Sequence, residues 1–362
     1  MTMKIRATCK IFVWVLAPLV LSGCAGFGPT TIPHDRFDYA EAISKSWKSQ
    51  MLLNMVKIRY ADVPIFVDVT SVISQYTLQG EINLSAGWSN SDLVGDGQTI
   101  GGRGTYADRP TITYAPLVGD KFSRSLAKPI PPPAIFFLIQ AGYQADFVFR
   151  TCVQAINNIS NRSGSQGNLR EADPEFYRLV SLMLEIQRSG AAGMRIEEGP
   201  DQKEGTVFIL RKKRLIPELA AKISTVKRLL GLNPDEKEFT IAYGSTPRDD
   251  NEIAVLSRSM LEIIVEMASY IDVPEVHLAE GRSYETILDQ MDVSAEFGPL
   301  IEIHSDESKP RDDYVAVHYH DYWFWIDDRD LRSKRMFSFL LLLFAFTEKE
   351  SAIAPLVTIP TG

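Results

Sequence analysis

Histidine and cysteine are the side chains best suited to hold a metal or attack a substrate, and this 362-residue chain has five His and three Cys. His318 and His320 are two apart, so within one strand they would face the same side. His304 lies on a candidate neighbouring strand, and three imidazoles could hold Zn²⁺ with an open position. A turn expected at His320-Asp321 breaks that geometry. The three are therefore read as half-exposed histidines among aromatics, and no metal or other cofactor is expected. Asp327-Asp328-Arg329-Asp330 offers paired carboxylates, but capping of the following helix by Asp327 or Asp328 accounts for them. The dense basic run Arg211-Lys212-Lys213-Arg214 could meet anionic headgroups or form a solvated strand-to-helix connection. The glycines at 95, 97, 101, 102 and 104 lack the strand-to-helix setting of a dinucleotide loop. No phosphate-binding lysine loop, paired-histidine zinc helix, CxxC pair or nucleophile elbow occurs in the sequence. No catalytic residue is assigned and no enzymatic activity is expected.

The N-terminus carries the most specific signal. Lys4, Arg6 and Lys10 precede an uncharged apolar run at 11–21, and small residues follow at Ser22-Gly23. That is the layout of an export signal, and the run is about half of the roughly 20 residues that span a bilayer. Leu21-Ser22-Gly23-Cys24 resembles the lipobox of bacterial lipoproteins. The resemblance covers only these residues and implies that Cys24 is acylated, palmitate included, and becomes the first residue of the mature chain. Two or more acyl chains anchor stably where one does not. Ala25, rather than Asp, resembles the signal that sends Gram-negative lipoproteins to the outer membrane, facing the periplasm. Cys9 would leave with the signal and Cys24 would carry lipid, so Cys152 stands alone and no intramolecular disulfide is expected. Its apolar neighbours Phe147, Val148, Phe149 and Val153 suggest a buried, inert thiol.

One segment has an unusual pattern. Tyr76, Leu78, Gly80, Ile82, Leu84, Ala86 and Trp88 alternate with polar or small residues, a longer run than the typical soluble strand of about five or six. A membrane strand needs roughly nine to eleven residues, apolar on one face, with aromatics at both interfaces. Tyr76 and Trp88 stand at its two ends. The return segment at 99–114 is poorer, because Asp108 shares a face with Ile100, Tyr106 and Ile112. The face Tyr76, Leu78, Ile82, Leu84 and Trp88 is thus either a membrane stave or the cover of a soluble core.

These residues require elements to place them. The apolar period predicts a helix over 38–60, then strands from 65, a proline connector at 129–133 and a short helix at 134–141. Residues 147–159 are apolar and undecided between helix and strand. Residues 157–172 are polar and read as a loop. Beyond them the patterns predict helices at 174–190, 216–230, 249–271 and 331–346, with strands at 194–197, 206–211, 238–243 and 300–304 and a hairpin at 314–326. The expected class is α+β, a two-part globular body with an N-terminal helix and long β-hairpin, then a mixed helix/strand domain. The expected divisions are signal 1–23, lipidated tether 24–37, helix and hairpin 38–160, linker 161–172 and α+β domain 173–362.

Composition bounds the function. At 45% hydrophobic and 23% charged the chain is ordinary globular material. Its net charge is −8, and loss of Lys4, Arg6 and Lys10 with the signal would take it to −11. Such a body repels phosphate backbones, so no nucleic acid is expected as partner. The expected function is a non-enzymatic scaffold or binding component of the cell envelope. It would hold membrane lipid through Cys24, with an envelope protein or other copies of itself as partner. An oligomeric channel that shares the 76–114 hairpin in one barrel is the alternative. An envelope enzyme with a site assembled from distant residues is a weaker one.

Overall fold

The computed structural model describes residues 27–73, 76–87, 97–108, 111–119, 122–165, 168–198, 204–210, 216–286 and 297–347. The chain divides into two units, residues 1–48 and 49–362, and the packing below is that of the second. Helix α1 (Phe27–Arg59) begins inside the stretch expected to be a tether. Gly28 and Pro29 fall in its first turn, where the backbone N–H groups have no intrahelical partner to lose. Basic Lys57 and Arg59 suit its C-terminal dipole. Ala61, at φ 57°, turns the chain out of the helix.

Four strands form two antiparallel two-stranded ladders. β1 (Val67–Ile73) pairs antiparallel with β4 (Thr111–Pro116), and β2 (Tyr76–Gly87) with β3 (Gly97–Asp108). Ile73↔Thr111 and Tyr76↔Asp108 belong to one register, so the two ladders continue each other. The extended hairpin, hereafter the arm, is joined to no third strand among the described residues.

The rest of the unit is α+β. Helices α2 (Pro132–Gln140) and α3 (Ala145–Cys152) lead into β5 (Val153–Ile156), so the undecided apolar run is helix first and strand second. β6 (Ile159–Ser160), β7 (Ser163–Ser165) and β8 (Asn168–Arg170) occupy the 157–172 stretch expected to be a loop. Several of its polar residues are buried. Asn157 donates to the Leu230 carbonyl at 2.7 Å and accepts from the Ala254 N–H at 2.7 Å. Asn161 donates to the Val153 carbonyl at 2.7 Å. Asn157 and Asn158 both have positive φ, the conformation that a two-residue hairpin turn requires and asparagine tolerates. At Asn157 and Asn161 polarity satisfies buried backbone, while Asn158, Arg170 and Glu171 are exposed.

Helix α4 (Pro174–Arg188), β9 (Ala192–Glu198), β10 (Glu204–Leu210), helix α5 (Pro217–Leu229) and β11 (Glu238–Tyr243) lie where the pattern predicted. The long helix expected at 249–271 is instead β12 (Glu252–Ser257) followed by helix α6 (Met260–Ala268). Ile253, Leu256, Met260 and Ile263 mimic a helical stripe because both elements are buried. The break lies at Ser259 and Glu262, which form a capping box. β12 runs parallel to β11 and completes a six-stranded sheet of order β6-β5-β12-β11-β10-β9. After helix α7 (Glu275–Ala279), β13 (His304–Asp306), β14 (Asp313–Tyr319) and β15 (Tyr322–Asp327) form a second sheet of order β13-β15-β14. The strand expected at 300–304 is only its first residue there, extended to Asp306. Helix α8 (Leu331–Thr347) follows, capped by Asp330, which accepts the N–H groups of Arg332 and Ser333, and not by Asp327 or Asp328.

One hydrophobic core runs through the unit from Met51 to Leu343, with Leu52, Phe176, Phe239, Phe324 and Phe337 fully buried. Within it lies a charged group. Glu266 stands 3.8 Å from both Arg162 and Arg258, all about 95% buried, and accepts the Gly164 N–H at 2.8 Å. Arg258 spends its remaining donors on the carbonyls of Arg150, Thr151 and Arg162. Removing one member of such a group strands the others without water. Glu266→Leu is therefore expected to destabilise the protein by about 3–5 kcal/mol, measured as the shift in urea midpoint. A loss below about 1 kcal/mol would show that the arginines are satisfied by backbone alone.

Candidate functional site

The site is the arm and its root. At the root, α1 substitutes for a strand. Gln50 donates to the Val67 carbonyl at 2.9 Å and accepts its N–H at 2.7 Å. Asn54, one turn on, does the same to Ile65, at 2.8 and 2.9 Å. Residues at i and i+4 share a helix face, and residues at i and i+2 share a strand side, so the two amides copy a ladder. The Leu117 N–H donates to the Phe66 carbonyl from the other side at 2.9 Å. Exposed apolar residues collect near this root: Ile65 (57%), Tyr114 (60%) and Val118 (66%).

Beyond the root the register assigns the faces of the arm. Leu78↔Tyr106, Ile82↔Gly102 and Leu84↔Ile100 share one face of the ladder with Tyr76↔Asp108 and Ala86↔Gln98. Gln79↔Thr105, Glu81↔Arg103 and Ser85↔Thr99 share the other. Asp108 therefore borders the apolar face beside Tyr76, at the root end, and does not interrupt its middle. Arg103 and Thr105 are exposed. Trp88, Cys24 and the 211–214 basic run lie outside the described residues.

A second cluster, absent from the sequence reading, closes over the end of α1. Tyr60 Oη lies 2.7 Å from His277 Nδ1, and both residues are buried. The rings of Tyr319, His320 and Phe324 pack within 6.0 Å of the Tyr60 ring, and Tyr322 packs on His277 at 5.0 Å. Tyr319 donates to Asp62 at 2.8 Å. Burial, then the nearby Arg282, pushes the His277 imidazole below its ordinary range, which favours the neutral ring that shares a hydrogen bond with the Tyr60 hydroxyl. Burial and the Asp62 hydrogen bond push Tyr319 up to about 12. The His320-Asp321 turn has φ of 47° and 66°, a strained conformation for two residues that are not glycine. Each hydroxyl is occupied: Tyr60 by His277, Tyr319 by Asp62 and Tyr322 by Glu307. The cluster is a clasp between α1, α7 and the β14–β15 turn.

The other candidates are placed apart. His304 packs on Trp325 and His318 on Trp323, while His320 sits in the turn. Among the described residues no group of three His, Cys, Asp or Glu could hold a metal ion. Arg329 grips Asp327 at 2.8 and 3.0 Å and Asp330 caps α8, so these carboxylates are employed structurally. Cys152 is fully buried, and burial pushes its thiol up to about 12. A cavity of about 150 Å³ opens between α2 and α4, lined by Phe136, Ile139, Met183 and Phe208. The Gln187 amide at its edge is spent on Ala145, Ile139 and Tyr143.

No family model matches the chain, and neither a curated protein nor a solved structure does.

Two outcomes follow from the root and the clasp. Asn54→Leu removes two hydrogen bonds and is expected to cost about 1–3 kcal/mol, with protease cleavage rising at 63–67. Cleavage unchanged there would mean that Gln50 alone holds the strand. His277 has a folded pKa below the ordinary 6.5, so the unfolded chain binds more protons at mildly acid pH. The stability it contributes is complete above about pH 6.5 and is lost as pH falls toward the folded value. His277→Gln keeps an acceptor for Tyr60 without titrating, so its urea midpoint is expected to fall less than the wild type's between pH 7 and 5. Parallel profiles would show that other groups set the pH dependence.

Proposed function

We propose that this protein is a lipoprotein of the outer membrane of a Gram-negative bacterium, anchored through acylated Cys24, with a periplasm-facing body. The body acts as a non-enzymatic scaffold or binding component of the envelope. Leu21-Ser22-Gly23-Cys24 supports the location. The observation that carries the binding role is the arm, a two-stranded extension whose edges pair with no other strand among the described residues and whose root has exposed apolar residues. A two-stranded hairpin is marginally stable alone in water, so an arm of this length calls for something to complete it. Membrane lipid is the partner of Cys24, and an envelope protein or a second copy is the partner of the arm.

A second reading takes its support from the ladder register. Clustering of the apolar residues on one face, with Asp108 and Gln98 at its two borders, suits an oligomeric channel to which each copy lends the 76–114 hairpin.

The anchor is tested first. Cys24→Ser is expected to leave the chain uncleaved or soluble, and globomycin is expected to make the uncleaved form of the wild type accumulate. Processed Cys24→Ser protein that stays in outer-membrane fractions after a carbonate wash would overturn the lipoprotein reading.

A further inference from the structure

The geometry points to a second copy of this chain as the occupant of the arm's edges: arms pair side by side, the β3 edge of one against the β2 edge of the next. This rests on the channel reading above and names its seam. Strands that alternate up and down continue in the same alternation when another hairpin adds to either edge, so each copy offers both halves of the joint. The edges lack two of the usual protections. β2 and β3 contain neither lysine nor proline, and their charges are Glu81, Arg103 and Asp108.

Charge gives the seam its partner. Glu81 on β2 and Arg103 on β3 stand directly opposite within one hairpin. Side-by-side addition places Arg103 of one copy next to Glu81 of the following one, so acid and base alternate along the row. Closing a row into a ring needs a stagger, and a stagger of two residues leaves the pair within diagonal reach. The other face supplies the height. From Tyr76 to Ala86 the ladder runs about 33 Å, or about 25 Å when strands tilt by 40°, which matches the apolar band of an outer-membrane barrel. A ring so formed would turn the ladder face of positions 76, 78, 82, 84, 100 and 106 to hydrocarbon and that of positions 81 and 103 to water.

The seam is read by mixed cross-linking in the full-length, membrane-anchored protein. Copies carrying Glu81→Cys and copies carrying Arg103→Cys, with different tags, are co-expressed and oxidised with copper phenanthroline. Cys152 is buried, and its protection from a thiol reagent reports that the body is folded. Covalent dimers joining the two tags are expected, with few from either variant alone. In mild detergent the wild type is expected as a multimer, Glu81→Arg as a smaller particle, and Glu81→Arg with Arg103→Glu as the multimer again. A monomeric wild type without mixed dimers would overturn the proposal, as would dimers of equal yield within each single variant, which would indicate a two-fold contact instead. Anchored protein without the seam removes this proposal and keeps the lipoprotein reading. Mixed dimers in soluble Cys24→Ser protein keep the seam and remove the membrane from its description.

Discussion

Gln50 and Asn54, one turn apart on α1, each exchange two hydrogen bonds with backbone at Val67 and Ile65, and the course of the arm follows from that exchange. An amide side chain carries one acceptor and two donors, so it can answer both the N–H and the carbonyl of an extended residue. Two amides at helical spacing meet two residues at strand spacing. The helix so becomes the third member of a sheet at the place where the hairpin leaves the core. Asn54 is itself 1% exposed, so its bonds are made where water does not compete. The clasp of Tyr60 on His277 then holds the end of the same helix, a few residues on, against α7 and the β14–β15 turn.

Long-period features were legible in the sequence, and short-range exchanges of role were not. The alternation from Tyr76 to Ala86 reads as a strand because nothing in it fits another period. The α4 stripe of Phe176, Leu179, Val180, Met183 and Ile186 is buried as expected. Period failed at 249–271, where a strand and a helix that are both largely apolar and buried meet end to end. Ser259 and Glu262, three apart ahead of an apolar run, were the available signal. The polar stretch at 157–172 misled for a different reason, because Asn157 and Asn161 serve buried carbonyls across the sheet. Gln50, Asn54, Tyr60 and His277 are defined by partners 11 to 217 residues away, and no local pattern points to them.

The interior tolerates charge and strain at separate places. Arg162, Arg258 and Glu266 sit in the middle of the unit, where their worth depends on the group staying complete. The positive-φ residues His320 and Asp321, by contrast, sit at the edge of the clasp, where ring packing against Tyr60 holds a turn that glycine would form more readily. The first arrangement makes the core intolerant of single substitutions. The second fixes the direction of the β14–β15 turn toward α1.

The doubled amides have a mechanical consequence. A pull along the hairpin loads their four hydrogen bonds together, in shear, instead of peeling them one at a time. Bonds loaded in parallel share the force, whereas bonds loaded in series yield in turn. A shift of the strand by one residue would also set each amide against the wrong side of the backbone. The joint therefore works as a keyed coupling: force on the hairpin reaches α1 as a push or pull on the helix, with little slack at the point where they meet.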